Sequence, residues 1–414
     1  MSLYDKASLV QIPSGYKAGK LYSVIPNTSA GDFTVSGDAE GEATRINKNG
    51  LIESVAANVA RLNYDPTNPQ DPHLLLEPTR TNGITYSEDF SHFSWNKNNS
   101  TVTANNTTAP DGTTNADKIT STGTAPYARA SFTHSTLTSY AVSIFGKKGD
   151  EDYLYIRALA LSNQPIASFN LNTGALGTVN SGLTAEIKAY KEGWYKCTIK
   201  YTTTSSISNN LIDFGFASSD NSRFSSSGKF AYFWGAQIEA GSYPTSYIPT
   251  SGLAVTRTAD TVKLENFVSM PTDYPFTVFS DNDVDLINTN QWGWSILDIS
   301  SAVKYLGLAF TNSGFIQIHR RNTNNDVDSI TTTVTQGASF KFAISFLSDT
   351  SYKYSINGST TVTVTGASTV DFDFNDILIG QQITSADTGY RNSANQFMMF
   401  NEELTDTELQ TLTS

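Results

Sequence analysis

The sequence predicts an all-β protein, with two β-sandwich or jelly-roll domains following an irregular N-terminal arm and a short C-terminal helix. Three observations predict it. Of 414 residues only 38% are hydrophobic and 16% charged. The remainder is rich in Ser, Thr, Asn and Gly, whose side chains compete with the helical backbone or, for β-branched Thr, favour strands. Apolar residues recur with a period of two in short runs bounded by turn residues. Aromatic residues reach 12%, too many for a disordered chain.

Residues 1–75 read as the arm. Short apolar pieces such as Leu9-Val10-Gln11-Ile12 and Leu21-Tyr22-Ser23-Val24-Ile25 are cut by Pro13, Gly15, Gly19 and Pro26. Asn49-Gly50 between Thr44-Arg45-Ile46 and Leu51-Ile52-Glu53 signals a hairpin. Pro66, Pro69 and Pro72 then rule out continuous sheet or helix, which predicts a linker or wrapping arm.

Residues 76–260 read as the first sandwich. Tyr140–Gly146 is a strand, and Asn172-Thr173-Gly174 is a tight turn. Tyr195, Cys197, Ile199 and Tyr201 alternate with Lys196, Thr198 and Lys200, the pattern of a half-buried strand with Cys197 in the core. Phe230, Tyr232, Trp234, Ala236 and Ile238 alternate likewise, and the apolar character of both faces suggests a central strand. Pro249, Gly252 and Pro271 mark a junction. Residues 261–414 form a second strand series, with Asn357-Gly358 as a hairpin turn. Thr405 and Glu408 form a capping box ahead of Leu409 and Leu412, which predicts the closing helix.

Lys+Arg 27 against Asp+Glu 39 gives a net charge of −12. Such a chain repels phosphate backbones, so no nucleic-acid partner is expected. One cysteine excludes an intrachain disulfide framework. The first residues lack a charged stretch followed by an apolar run, so no secretory signal is expected. No stretch approaches the roughly 18 apolar residues of a membrane helix, so no insertion is expected. Synthesis in a cytoplasm is the expectation.

No G-x-S-x-G elbow, phosphate-binding loop or H-E-x-x-H helix is present. The E-x-D-x-x-E run that would put two carboxylates on one strand face for glycoside cleavage is absent, so no enzyme is expected. Asp281, Asp283 and Asp285 stand at i, i+2, i+4, a spacing at which oxygen ligands can hold calcium. Leu286 and Trp292 replace the Gly and Glu of a helix-loop-helix calcium loop, and a solvated strand edge accounts for the same carboxylates. Asp371, Asp373 and Asp376 raise the same alternatives. Sugar binding without cleavage needs aromatic faces with amides nearby. Trp95 beside Asn96, and Trp292 with Trp294 on one strand face, are the candidate platforms; core packing is their alternative role.

Several segments together resemble a family of tailed-phage virion proteins. They are the leader Ser2-Leu3-Tyr4-Asp5-Lys6 through Leu21-Tyr22-Ser23; Leu74-Leu75-Leu76-Glu77-Pro78-Thr79-Arg80-Thr81-Asn82 with Tyr86-Ser87-Glu88-Asp89-Phe90 and Trp95; Ala109-Pro110-Asp111-Gly112 with Ala116-Asp117-Lys118; Glu192-Gly193-Trp194-Tyr195; and Trp234-Gly235-Ala236-Gln237-Ile238-Glu239 through Ser246-Tyr247-Ile248-Pro249-Thr250. The resemblance covers about residues 1–260 and implies a carbohydrate-binding-like jelly roll on a head or tail fibre or spike. Ile377-Leu378-Ile379-Gly380 and Phe400-Asn401-Glu402-Glu403-Leu404 resemble concanavalin A-like lectin/glucanase domains. The resemblances imply a particle-surface virion protein contacting capsid or tail proteins, a homo-oligomer with a trimer as the fibre precedent, and a host-surface glycan as ligand. A purely structural capsid decoration or head fibre is the alternative, with a polysaccharide depolymerase behind it.

Overall fold

The N-terminal segment does not form a free arm: several of its strands are woven into the last domain. In the computed structural model, Leu9–Gln11 and His73–Leu76 both pair antiparallel with Asn392–Phe400. Phe33–Ser36 pairs with Thr261–Leu264. The structure describes all residues except 1, 18, 38–42, 71, 205–209, 285–290, 298–303, 312, 322–324, 335–337, 367–373 and 382–391.

The chain is all-β, with antiparallel sheets in two sandwiches and a short C-terminal helix. The middle sandwich stacks two six-stranded sheets. The first runs Asn96–Asn98, Tyr127–Ser131, Leu211–Ala217, Tyr153–Ala158, Ile166–Asn170, Ala175–Val179. The second runs Ser100–Thr107, Ala116–Ser121, Phe230–Ala240, Ser139–Lys148, Trp194–Thr202, Thr184–Ala189. Ile144, Ile156, Ile199, Phe214, Phe233 and Ile238 fill the space between them. Burying such side chains contributes about 1.5–3 kcal/mol each.

The composite sandwich combines the N-terminal strands with residues 261–400. Its eight-stranded sheet centres on Phe276–Val284 and Asn392–Phe400; its nine-stranded sheet centres on Asp376–Ile379 and Gln291–Leu297. Leu9, Leu21, Phe33, Leu62 and Leu74 share one core with Val262, Trp294, Phe342 and Met399. The proline-rich stretch after Asp65 is the loop joining Leu62–Asn63 to its partner His73–Leu76, not an interdomain linker.

The predicted turns are present. Asn49-Gly50 turns the hairpin Ala43–Ile46 with Ile52–Val55. Asn357 and Gly358 take positive φ of 44° and 73° between Ser351–Ile356 and Val362–Thr365, the left-handed pair a two-residue hairpin turn requires. Helix Asp406–Thr413 starts on the expected box: the Glu408 amide donates to Thr405 Oγ1 (3.3 Å) and the Thr405 amide to Glu408 Oε2 (2.8 Å). Leu404 and Leu409 bury against Val10, Phe279 and Met398 on the outer side of the eight-stranded sheet.

Two bulges break the expected alternation. In Phe230–Ala240 the register against Ser139–Lys148 shifts near Gly235, whose φ is +61°. Phe233, Ala236 and Ile238 therefore face the sandwich core, while Trp234 turns to the opposite side. In Gln291–Leu297 the register shifts between Trp292 and Trp294. A single extra residue reverses every side chain beyond it.

Candidate functional site

The two sandwiches meet at a buried ion network. Glu77 Oε2 accepts from Arg61 Nη1 (2.8 Å) and Arg257 Nη1 (2.7 Å), and Glu77 Oε1 accepts from the Ser246 amide (2.8 Å). Arg61 also donates through Nε to Asp260 Oδ1 (3.0 Å), and the Glu77 amide donates to Asp260 Oδ2 (2.7 Å). Arg61, Glu77 and Arg257 are almost fully buried. Burial alone raises a carboxyl's pKa, but Arg257 and Arg61 overcome it and hold Glu77 well below the usual carboxylate range. A buried charge cluster of this kind persists only when every member is paired.

The segments that carry the resemblance to virion proteins converge at this joint and around it. Glu77 meets Ser246. Asn82 Nδ2 donates to the carbonyls of Ala236 and Ile248. Tyr247 OH donates to Glu88 Oε1 (2.9 Å) and contacts Ser87 Oγ (2.6 Å). Asp117 Oδ2 accepts from the Phe90 amide (2.8 Å). These motif residues hold the architecture together.

Beside the joint lies a cleft of about 620 Å³, within the ~300–1,000 Å³ of small-ligand sites. One wall comes from the N-terminal strands, with Arg45, Asn63, Tyr64, Asp65 and His73. The facing wall is the outer side of the second middle sheet, with Phe145, Glu186, Lys188, Tyr190 and Lys196; Thr245, Ser246, Tyr247 and Asp283 complete the lining. Arg45 is set by Glu53 Oε1 (2.7 Å) and Tyr16 OH (2.6 Å). Asn63 Nδ2 and His73 Nε2 are 3.0 Å apart. Lys196 Nζ donates to Thr245 O (2.8 Å). Tyr190 packs edge-on to Phe145, ring centroids 5.0 Å apart. Lys188 acts electrostatically on Asp65 across the opening. Donors and acceptors of both signs with half-buried tyrosines suit a ligand rich in hydroxyls.

No known family model matches the chain, and no curated protein matches it. Solved structures give distant likenesses. The CBM40 of Ruminococcus gnavus IT-sialidase bound to alpha2,3 sialyllactose is 17% identical over 36% of this chain and 87% of that one, with a TM-score of 0.32. NanB sialidase from Streptococcus pneumoniae is 18% identical over 34% and 24%, with a TM-score of 0.30. A heptameric SAP-like pentraxin from Limulus polyphemus is 14% identical over 35% and 71%, with a TM-score of 0.28.

The tryptophans expected as platforms are buried. Trp95 lies in the middle core against Phe90 (4.6 Å between centroids), and its Nε1 donates to Tyr86 O. The exposed aromatic beside it is Phe93, at 89% exposure, its ring tilted against His92 with centroids 4.2 Å apart. Trp294 is in the composite core, and Trp292 sits in a separate cluster with Leu297, Tyr305, Ala309 and Leu378. The bulge between them puts the two on opposite faces, so they form no shared platform. Asn96 is exposed, in register with Arg129.

Asp281 and Asp283 do lie together. Asn395 Nδ2 bridges them at 3.3 and 3.1 Å, and Ser339 Oγ donates to Asp281 (2.7 Å). Asp285, Asp371 and Asp373 lie outside the described residues; Asp376 is buried and accepts the Asn266 amide. Among the described residues no group of three or more His, Cys, Asp or Glu is placed to hold a metal ion. Cys197 is buried, and burial pushes its thiol pKa up. No helix among the described residues is long and apolar enough to cross a membrane.

Tyr64, Lys188 and Tyr190 were not legible as site residues. They meet only because the N-terminal strands join the composite sandwich, and that long-range pairing leaves no local pattern.

Proposed function

We propose that the chain is a tailed-phage virion protein, a fibre, spike or appendage on the particle surface that binds host-surface glycans in the cleft between its sandwiches. The cleft's mix of tyrosines with both signs of charge carries the binding reading. The ordered segments across residues 1–260 support the virion reading. The role is binding without cleavage, in a homo-oligomer for which trimeric fibres are the precedent, docked on capsid or tail proteins. Calcium at Asp281 and Asp283, the two carboxylates that Asn395 bridges, belongs to the same proposal.

Fluorescently labelled full chain on host cells, with periodate-treated cells as control, tests this reading. Saturable, periodate-sensitive binding that weakens about tenfold in Tyr190→Ala supports it. Absence of binding moves the protein to a structural capsid decoration. Burial of Trp95, Trp292 and Trp294 favours that second reading.

A further inference from the structure

The first middle sheet carries two in-register rows on its outer face. Asn96, Arg129, Asp213 and Arg157 lie across four strands, and two residues further along lie Asn98, Tyr127, Gly215 and Tyr155. The alternate row, Ala128, Phe214 and Ile156, faces the core, so these two rows face away from it. Arg129 grips Asp213 through Nε (2.5 Å) and Nη2 (3.0 Å), and Arg157 Nη1 approaches the same carboxylate at 3.5 Å. Asp213 is fully buried beneath them, while the arginine side chains keep 20% and 17% exposure.

The second row is shaped as well as charged. The Tyr155 ring lies across Gly215, where a Cβ would come within 2.3 Å of it, and its hydroxyl donates to Pro126 O (3.0 Å). The Arg129 guanidinium stacks 4.6 Å from the Tyr127 ring centre. Arg223, on the following loop, places a third positive charge near the Tyr155 hydroxyl. Asp220 at the far edge is occupied by Thr178 and Asn221. Two arginines thus share one aspartate at the centre of this face, with Arg223 acting on the neighbouring Tyr155, in a chain whose net charge is −12.

A surface ion pair alone needs one arginine per carboxylate, and its stabilisation is small. Excess guanidinium groups beside half-exposed tyrosine and asparagine side chains complement a ligand with a carboxylate and a pyranose ring. We propose that this face, separate from the cleft, binds acidic saccharides, with Arg129, Arg157 and Arg223 taking a uronate carboxylate and Tyr127 and Asn96 taking the ring and hydroxyls. The assignment extends the glycan-binding reading to a second site and names its ligand class.

Calorimetric titration of the full chain with oligogalacturonate and with a neutral maltooligosaccharide tests it, at low and high salt. The expected result is oligogalacturonate binding that salt weakens and that Arg129→Gln and Arg223→Gln each weaken about tenfold, with Tyr190→Ala leaving it unchanged. Among the described residues Arg223 makes no ion pair, so Arg223→Gln reads the site even where Arg129→Gln disturbs folding. No oligogalacturonate binding at low salt, or binding indifferent to Arg223→Gln, overturns the proposal. Competition by inorganic phosphate at matched ionic strength as strong as by oligogalacturonate overturns it too, reducing the face to a general anion site. Loss of periodate-sensitive cell binding in Tyr190→Ala is a separate readout, so the cleft and this face stand or fall independently.

Discussion

Leu9 lies directly opposite Met399 in an antiparallel pair, and both side chains are fully buried in one core. The first strand of the chain and one of its last are therefore a single structural unit, with the middle sandwich inserted between them.

Deleting residues 1–75 should unfold the composite sandwich, because it removes Leu9, Leu21, Phe33, Leu62 and Leu74 from that core. The middle sandwich, with a core of its own, should persist. Urea denaturation followed by near-UV circular dichroism checks this. A cooperative two-sandwich transition from residues 76–414 would contradict it. On a finer scale, Leu9→Ala should cost about 2–5 kcal/mol.

Glu77→Gln should destabilise the joint by about 3–5 kcal/mol, since Arg61 and Arg257 would share too little negative charge in a buried site. The effect should show in the denaturation midpoint. A change below about 1 kcal/mol would mean that Asp260 alone neutralises the cluster.

His319 predicts an acid-sensitive step. Burial pushes its pKa down to about 4 from an ordinary 6.5, and its ring packs on Trp292 at 4.6 Å. Between these values the unfolded chain binds a proton that the folded chain refuses. This contribution is fully present above pH 6.5 and lost as pH falls toward 4. His319→Gln should therefore lose less stability on acidification than the native chain. Parallel melting curves for the two proteins from pH 7 to 4.5 would refute this.

Thr405→Ala should remove the cap of the closing helix and cost about 1 kcal/mol. Hydrogen exchange should quicken first at the amide of Glu408, which donates to the Thr405 hydroxyl.

Much of the fold was legible from local chemistry. The alternation of Tyr195, Cys197, Ile199 and Tyr201, the Asn-Gly turns and the Thr405–Glu408 box each depend on neighbours in sequence, and each appears as expected. The site was less legible. Asn96 proved to be exposed beside Arg129, but Trp95 turned inward because its indole N–H finds the Tyr86 carbonyl and its ring the Phe90 core.

By itself the sequence determined the strand-rich class, the acidic surface and the positions of turns and cap, because period, composition and backbone preference act over a few residues. Only the tertiary structure decided which strands pair, and so that the N-terminal segment walls a cleft. Only it decided the faces of Trp234 and Trp292, because a bulge is set by register against neighbouring strands. The Arg129–Asp213–Arg157 row arises the same way. Its members stand 84 and 56 positions apart in the chain, and hydrogen bonding between strands, not proximity in sequence, brings them together.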